Sequence, residues 1–313
     1  MIKDKTIIQE RGGIRLDAAL LIAIPSSSRA FIRSAIEAGD ILVNDRRTQK
    51  GLKLKGGERI EIRTLLESGD NLVAPVKCGK PSIVFEDDAM LAVDKPAGLP
   101  VQPLSCLETN TLMNRVTAYY PECRTVGDRP LMAGALHRID ADTSGLVLIA
   151  RNQNAFDALR SQFTAQSVEK KYLALVEGSY ATGGTLENDL IHDPTLPQCR
   201  MIDVKSRNAR SGDGKPQRVF HAVTKYLPIG HITVENEERT LLEVTIFTGV
   251  THQIRAQLAI AGMHIINDRL YGAFAVENQI GHCLHALAAK FKHPSSGDEM
   301  EIRTPLPAWA DFR

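Results

Sequence analysis

The stretch Leu136–Ala150 reads LHRIDADTSGLVLIA. It places a histidine, an arginine and two aspartates directly ahead of the apolar run GLVLIA, which reads as a buried strand. Two interpretations compete for the polar half. One is a crowded turn with a structural Asp–Arg pair, the commoner use of these residues. The other is a reactive carboxylate on a rigid edge. A carboxylate beside an arginine stays ionised even when partly buried. In that state it can attack a sugar carbon or act as a general base.

Strands dominate the chain from Pro81 onward. SIVFEDDAMLAVDKP has the pattern of a hairpin turning at EDD, TLLEVTIFT that of a strand, and KKYLALVEG that of a strand alternating from Tyr172. Asn152 or Asn154 can cap a helix through AFDALRSQF, and HQIRAQLAIAG reads as a short helix stopped by Gly262. The first block differs. Leu16, Ala19, Leu20 and Ala23 recur at helical spacing until Pro25. Ser27 or Ser28 can cap a second helix that ends at Gly39, and ILVN and RIEI follow as short strands. Thr64–Lys80 has weak periodicity and reads as connecting chain.

Among 313 residues, 38 Lys and Arg nearly balance 37 Asp and Glu, so overall charge does not announce a polyanion partner. The distribution is uneven. Met1–Arg63 carries 13 basic against 8 acidic residues, a net +5, and the remainder 25 against 29. Arg29 and Arg33 lie one turn apart, and Arg46, Arg47, Lys50, Lys53 and Lys55 follow in a loop. A solvated basic face and an electrostatic docking surface are equal readings of that spacing. The five cysteines, at 78, 106, 123, 199 and 283, form no CxxC pair. They fit a reducing cytosol better than a disulfide framework or zinc site. The amino terminus is too charged for a signal peptide, and no apolar run approaches membrane-spanning length. A cytoplasmic protein without membrane partners, acting as a monomer, is the expectation.

Common cofactor signatures are missing: no GxGxxG, no GxxxxGK[ST], no HExxH and no GxSxG. Ser144 is therefore a weak nucleophile candidate. His282 and His285, three apart, suit packing or capping better than a metal, so no metal is expected.

Five segments in order resemble the RluA family of pseudouridine synthases. LHRIDADTSGLVLIARN is similar to the family signature HRLDxxTSG followed by an apolar strand. DDAMLAVDKPAGLPVQP resembles its Lys-Pro-Ala-Gly turn, and EKKYLALVEG its second motif. TGVTHQIRAQLAIAGMHIINDRLYG resembles its third motif, and LHALAAKFKHPSSGDEMEIRTPLP its carboxy-terminal segment. The first block, through RLDAAL, SRAFIRSAIEAGDILVN and GERIEI, resembles an S4-type RNA-binding domain. That pairing is typical of the branch acting on large-subunit ribosomal RNA.

The resemblance implies an α+β fold. A mainly antiparallel mixed-sheet catalytic domain would cover 81–313, a small α/β S4-like domain 1–66, and a linker 67–80. It implies Asp140 as catalytic nucleophile, Tyr172 packing on the target uracil, and Arg255 pairing with the aspartate. Arg138 would occupy the space of the flipped-out base, and Arg15, Arg29, Arg33 and Lys50 would contact RNA. Asp142 falls at a variable position and receives no role. The implied reaction is isomerisation of specific uridines in large-subunit ribosomal RNA, free or in pre-ribosomal particles. It moves a bond within one nucleotide, so no cofactor is required.

Alternatives are a transfer-RNA substrate, a non-catalytic RNA-binding assembly factor, and a sugar hydrolase using Asp140 with Asp142. The chain departs from the family pattern at Gln102 and Gln257, where His is common, at Val250, where Arg is usual, and at Asn267, where Gly is usual.

Overall fold

The computed structural model describes residues 1–196, 200–206, 217–234, 237–273 and 280–310. The chain forms two compact units, Met1–Leu72 and Val73–Arg313.

The first unit orders as β1 (Ile2–Gln9), α1 (Leu16–Ala23), α2 (Arg29–Ala38), β2 (Ile41–Val43), β3 (Arg46–Arg47) and β4 (Glu58–Leu65). Its four-stranded sheet has the order β1-β4-β2-β3. Leu16, Leu20, Ile32 and Ile36 from the helices pack on Ile41, Ile60 and Ile62 of the sheet. Of the two possible caps, Ser28 is used, its Oγ accepting from Phe31 N, while Ser27 donates to the Leu66 carbonyl. Gly39 ends α2 in the left-handed conformation. Strand β1 is a departure from the sequence reading, which assigned no element there. It is an edge strand with mostly exposed side chains, so it leaves little apolar pattern to read.

In the second unit the elements are β5 (Ser82–Glu86), β6 (Met90–Lys95), α3 (Leu112–Tyr119), β7 (Ser144–Ala150), α4 (Gln153–Thr164), β8 (Glu169–Glu177), β9 (Gly184–His192), β10 (Met201–Asp203), β11 (Phe220–Val234), β12 (Glu237–Ile246), α5 (Gln253–Ile260), β13 (Leu284–Lys292) and β14 (Glu299–Arg303). One sheet runs β10-β9-β11-β12-β8-β13-β7-β6-β5, with β14 also on β13. Among the described residues every strand pair in it is antiparallel except β7 with β13. The fold is therefore α+β with a mixed, mainly antiparallel sheet.

Strand β8 corrects an expectation. Its residues 172–176 are all buried, so both faces are covered and the burial does not alternate. Val73, inside the stretch read as linker, is also buried in this unit's core, and its carbonyl accepts from Arg124 Nε. Asn152, of the two candidates, caps α4 by accepting from Ala155 N. Cys199 lies outside the described residues.

A single register row crosses this sheet. Lys95 pairs with Gly145, Gly145 with Ala286, Ala286 with Tyr172, and Tyr172 with Val244. Residues distant in sequence thus share one line across five strands. Gly145 is needed there: its φ is +108°, and an added Cβ would sit 2.3 Å from the Ala286 carbonyl oxygen.

Candidate active site

Asp140 lies in the loop that leads into β7, close to the Gly145 point of that row. Its Oδ2 accepts from Arg255 Nη1 at 2.7 Å. Among the described residues Oδ1 takes no hydrogen bond, so one oxygen is tied and the other is unbonded. Arg255 stands in the first turn of α5 and is buried. Its Nε and Nη2 donate to Asp268 at 2.7 and 2.8 Å. One guanidinium thus bridges two carboxylates, a fork geometry lysine cannot provide. Asp268 was not singled out from sequence. Its only signal was its place inside the third motif.

Electrostatics follow from this packing. Burial alone would raise the Asp140 pKa, but His252 and Arg255 outweigh it and hold the carboxylate below its usual range. His252 Nε2 lies 3.7 Å from Asp140 Oδ2. Burial lowers the His252 pKa from the ordinary histidine value, so at neutral pH Arg255 is the lasting charge partner. Arg255 itself stays cationic: burial opposes its charge, and Asp268 and Asp140 outweigh burial. His252 adopts a left-handed backbone at the start of α5 and makes no capping bond there. Its Nδ1 is 3.3 Å from the Tyr271 hydroxyl, whose oxygen accepts from Met201 N at 2.8 Å. The hydroxyl proton is then free to go to Nδ1, which puts the imidazole proton on Nε2, on the side of Asp140.

Helix α5 is pinned by two buried glutamines. Gln253 Nε2 donates to the Val223 carbonyl and to Thr224 Oγ1. Gln257 Nε2 reaches the Leu186 and Ala222 carbonyls and Asn188, and its Oε1 accepts from Thr224. The departure from histidine at Gln257 is thereby explained: the residue is fully buried and fastens α5 to β9 and β11. Gln102 instead lines the cleft and donates to the Met132 carbonyl at 3.3 Å.

Two further groups fasten the Asp140 loop. Lys95 is wholly buried, and its Nζ donates to the carbonyls of Pro96, Leu99 and Ala141, the last at 2.8 Å. Burial lowers its pKa to about 8 although Asp140, Asp142 and Asp94 oppose that. On the other flank, Thr143 Oγ1 and His282 Nε2 are 2.7 Å apart, and Ser144 Oγ and His285 Nδ1 are 2.8 Å apart. His285 Nε2 also meets Thr304 Oγ1 at 2.8 Å. His282 Nε2 and both nitrogens of His285 therefore meet hydroxyls. Burial lowers both imidazoles to about 4, so both are neutral.

Asn267, at φ +65°, occupies the left-handed conformation that suits a glycine, and asparagine tolerates it. Its side chain adds a bond to the Gly281 carbonyl at 2.6 Å. The segment Gly281–His285 thus holds the Asp140 loop on one side and the Asp268 turn on the other.

Around Asp140 opens a cleft of about 790 Å³. Tyr172, Arg138, Asp140 and Arg255 all line it, so four residues named from sequence meet in one place. Tyr172 is buried; burial and then the Asp140 charge push its phenol well above the ordinary value, so it remains protonated. Arg138 is exposed. Asp142 is exposed and absent from the cleft wall, and Ser144 is engaged by His285. Besides Arg138 and Arg255 the wall carries Arg129, Arg160, Lys170 and Arg218, with Asp140 its single carboxylate among the described residues. Sequence reading missed these four because they are scattered. Only folding makes them neighbours.

Residues 89–260 match the family model described as RNA pseudouridylate synthase. The chain belongs to the RNA pseudouridylate synthase family. It is 33% identical to the ribosomal large subunit pseudouridine synthase D of Neisseria meningitidis serogroup B, over 96% of this chain and 78% of that protein. Identity to the protein of that name from Xanthomonas campestris pv. campestris is 30%, over 98% and 89% of the two chains. An uncharacterized RNA pseudouridine synthase of Bacillus subtilis is 29% identical over 97% and 94%. In fold, human RNA pseudouridylate synthase domain containing 1 superposes with a TM-score of 0.59 at 22% identity, covering 75% of this chain and 87% of that one. A member of this family isomerises uridine within RNA.

The first unit holds the other residues named from sequence. Arg29 and Arg33 are exposed on α2. Arg15 is bidentate to Asp17, with both contacts at 3.0 Å, and Lys50 lies 3.5 Å from Glu37. Among the described residues no helix is long and apolar enough to cross a membrane.

Proposed function

We propose that the protein isomerises specific uridines of large-subunit ribosomal RNA, with Asp140 as the nucleophile. The observation that carries this is the asymmetry of the Asp140 carboxylate at the cleft wall. Oδ2 is held by Arg255, and Oδ1 is unbonded among the described residues. The reaction breaks the bond from the anomeric carbon to N1 of uracil and forms one from that carbon to C5. The hydrogen on C5 is released and N1 gains one, so atoms and electrons balance without a cofactor or metal. A low-pKa carboxylate suits the first step because it is ionised at neutral pH and can stabilise positive charge on the sugar.

Tyr172, flat and protonated, supplies a surface on which the detached ring can turn. Arg255 orients Asp140 and keeps it charged. Arg138, two residues before Asp140 and exposed, is suited to fill the gap left by the flipped base, whose extrusion costs a few kcal/mol. The amino-terminal unit is read as an S4-like domain over 1–66 whose Arg15, Arg29, Arg33 and Lys50 bind RNA. Residues 67–80 would connect it to a catalytic domain over 81–313. The ribosomal target is supported by the names of the relatives and by their nearly full-length similarity. A cytoplasmic monomer fits that substrate.

The test is pseudouridine mapping of total RNA from cells with the gene, without it, and complemented with Asp140→Asn. Large-subunit sites should vanish on deletion and stay absent with the variant. Sites lost only from transfer RNA, or full modification by Asp140→Asn, would overturn the reading.

A further inference from the structure

Six lysine and arginine side chains line the cleft, and most have their charge already engaged. Arg255 bridges Asp140 and Asp268. Lys170 donates to the Thr248 carbonyl, and burial lowers its pKa to about 8. Arg129 lies 3.4 Å from Asp128, and Arg160 lies 3.9 Å from the same residue while donating to the Leu136 carbonyl. Arg138 is already assigned, under the proposed function, to the gap left by the flipped base. Arg218 remains: it is exposed, lines the cleft, and meets no carboxylate among the described residues.

Its position is nonetheless defined. The Arg218 guanidinium carbon sits 4.9 Å from the centre of the Phe220 ring. Such stacking restricts the side chain and leaves its in-plane N–H groups free to bind an anion. Phe220 in turn packs on a small apolar cluster that includes Leu190, Met201 and Tyr271. Val250 packs on that same cluster and lines the same cleft. Val250 is the position where the resemblance leads one to expect an arginine. The charge absent at 250 is thus matched by one entering from just ahead of β11, a different segment, onto the same wall.

We propose that Arg218 is an RNA phosphate-binding residue, standing on Phe220 and serving the backbone contact for which Val250 carries no charge. The inference rests on the reading of this cleft as the RNA site. A guanidinium suits a phosphodiester because it offers several N–H donors in one plane, and Arg218 is exposed on the cleft wall. It contributes affinity and register and carries no sequence information.

The experiment uses the full chain with Asp140→Asn, so that nothing turns over, and an in vitro transcript of large-subunit ribosomal RNA. Affinity is measured from low to moderate salt. Adding Arg218→Ala should weaken binding on the order of tenfold at low salt and reduce the salt slope by about one. Combining it with Val250→Arg should return most of the affinity and the lost slope. Unchanged affinity and slope for Arg218→Ala, with the melting temperature unaltered, overturns the proposal. A folded double variant as weak as the single one overturns the shared position of 218 and 250. Pseudouridine formation by the otherwise unaltered chain on the same transcript is run alongside. Its absence would count against the proposed activity, while the binding comparison would still decide the role of Arg218.

Discussion

The basic face of α2 and the basic wall of the cleft are assembled differently. Arg29 and Arg33 are near neighbours in sequence, on one exposed turn of one helix. The cleft gathers Arg129, Arg138, Arg160, Lys170, Arg218 and Arg255 from separate strands, helices and loops. Charges on an open helix face are screened within about 10 Å at 0.1 M salt. They govern encounter more than geometry. Charges in a partly buried cleft act through a lower effective dielectric, where position matters and each contact is worth more. The first kind should act on salt-dependent affinity alone, and the second on register and rate as well as affinity.

Asp268→Asn breaks this division most sharply. It leaves Arg255 with one carboxylate and frees the guanidinium to shift. Small misplacements of a reacting group cost on the order of 10²-fold. Single-turnover pseudouridine formation at saturating RNA should fall by about that factor, and a change confined to affinity would show that Asp268 does not position the site.

The neutral histidines of the cleft region supply the next effect. His282 and His285 titrate at about 4, below the ordinary histidine value of 6.5. Between those values the unfolded chain binds more protons, so stability is lost as pH falls through 6.5 toward 4. Each should contribute on the order of 1 kcal/mol of loss between pH 6.5 and 5. Urea melts across that range measure it. His282→Gln, which can still bond Thr143, should flatten its share, and an equally steep profile in that variant would refute the assignment.

The smallest effect belongs to α2. Arg29→Ala with Arg33→Ala should weaken RNA binding several-fold and lower the salt slope by up to about two. A slope equal to that of the unaltered chain would make this face merely solvated, the alternative its spacing always allowed.

Much of the site was legible beforehand, for a definable reason. Asp140, Arg138, Tyr172 and Arg255 each sit inside a short segment whose residue order is itself distinctive. The gaps have an equally definable cause. Lys95, His252 and Asp268 lie inside the quoted motifs, but what each touches is decided by packing, as is the His282–Thr143 contact. Strand β1 escaped because an exposed edge strand needs no apolar alternation. That His282 Nε2 and both nitrogens of His285 meet hydroxyls could be seen only in the folded chain.

Local order in the chain was enough to specify the strand after Asp140, the helix bearing Arg255 and the family. Those features depend on near neighbours or on short ordered motifs. Which oxygen of Asp140 is tied, which arginines face the cleft, and why Gln257 and Asn267 are tolerated depended on folding. They follow from a register row and a set of hydrogen bonds that reach across the chain, as between Ser144 and His285, 141 positions apart. Burial, moreover, decides the charge state of each group, and it exists only once the chain is packed.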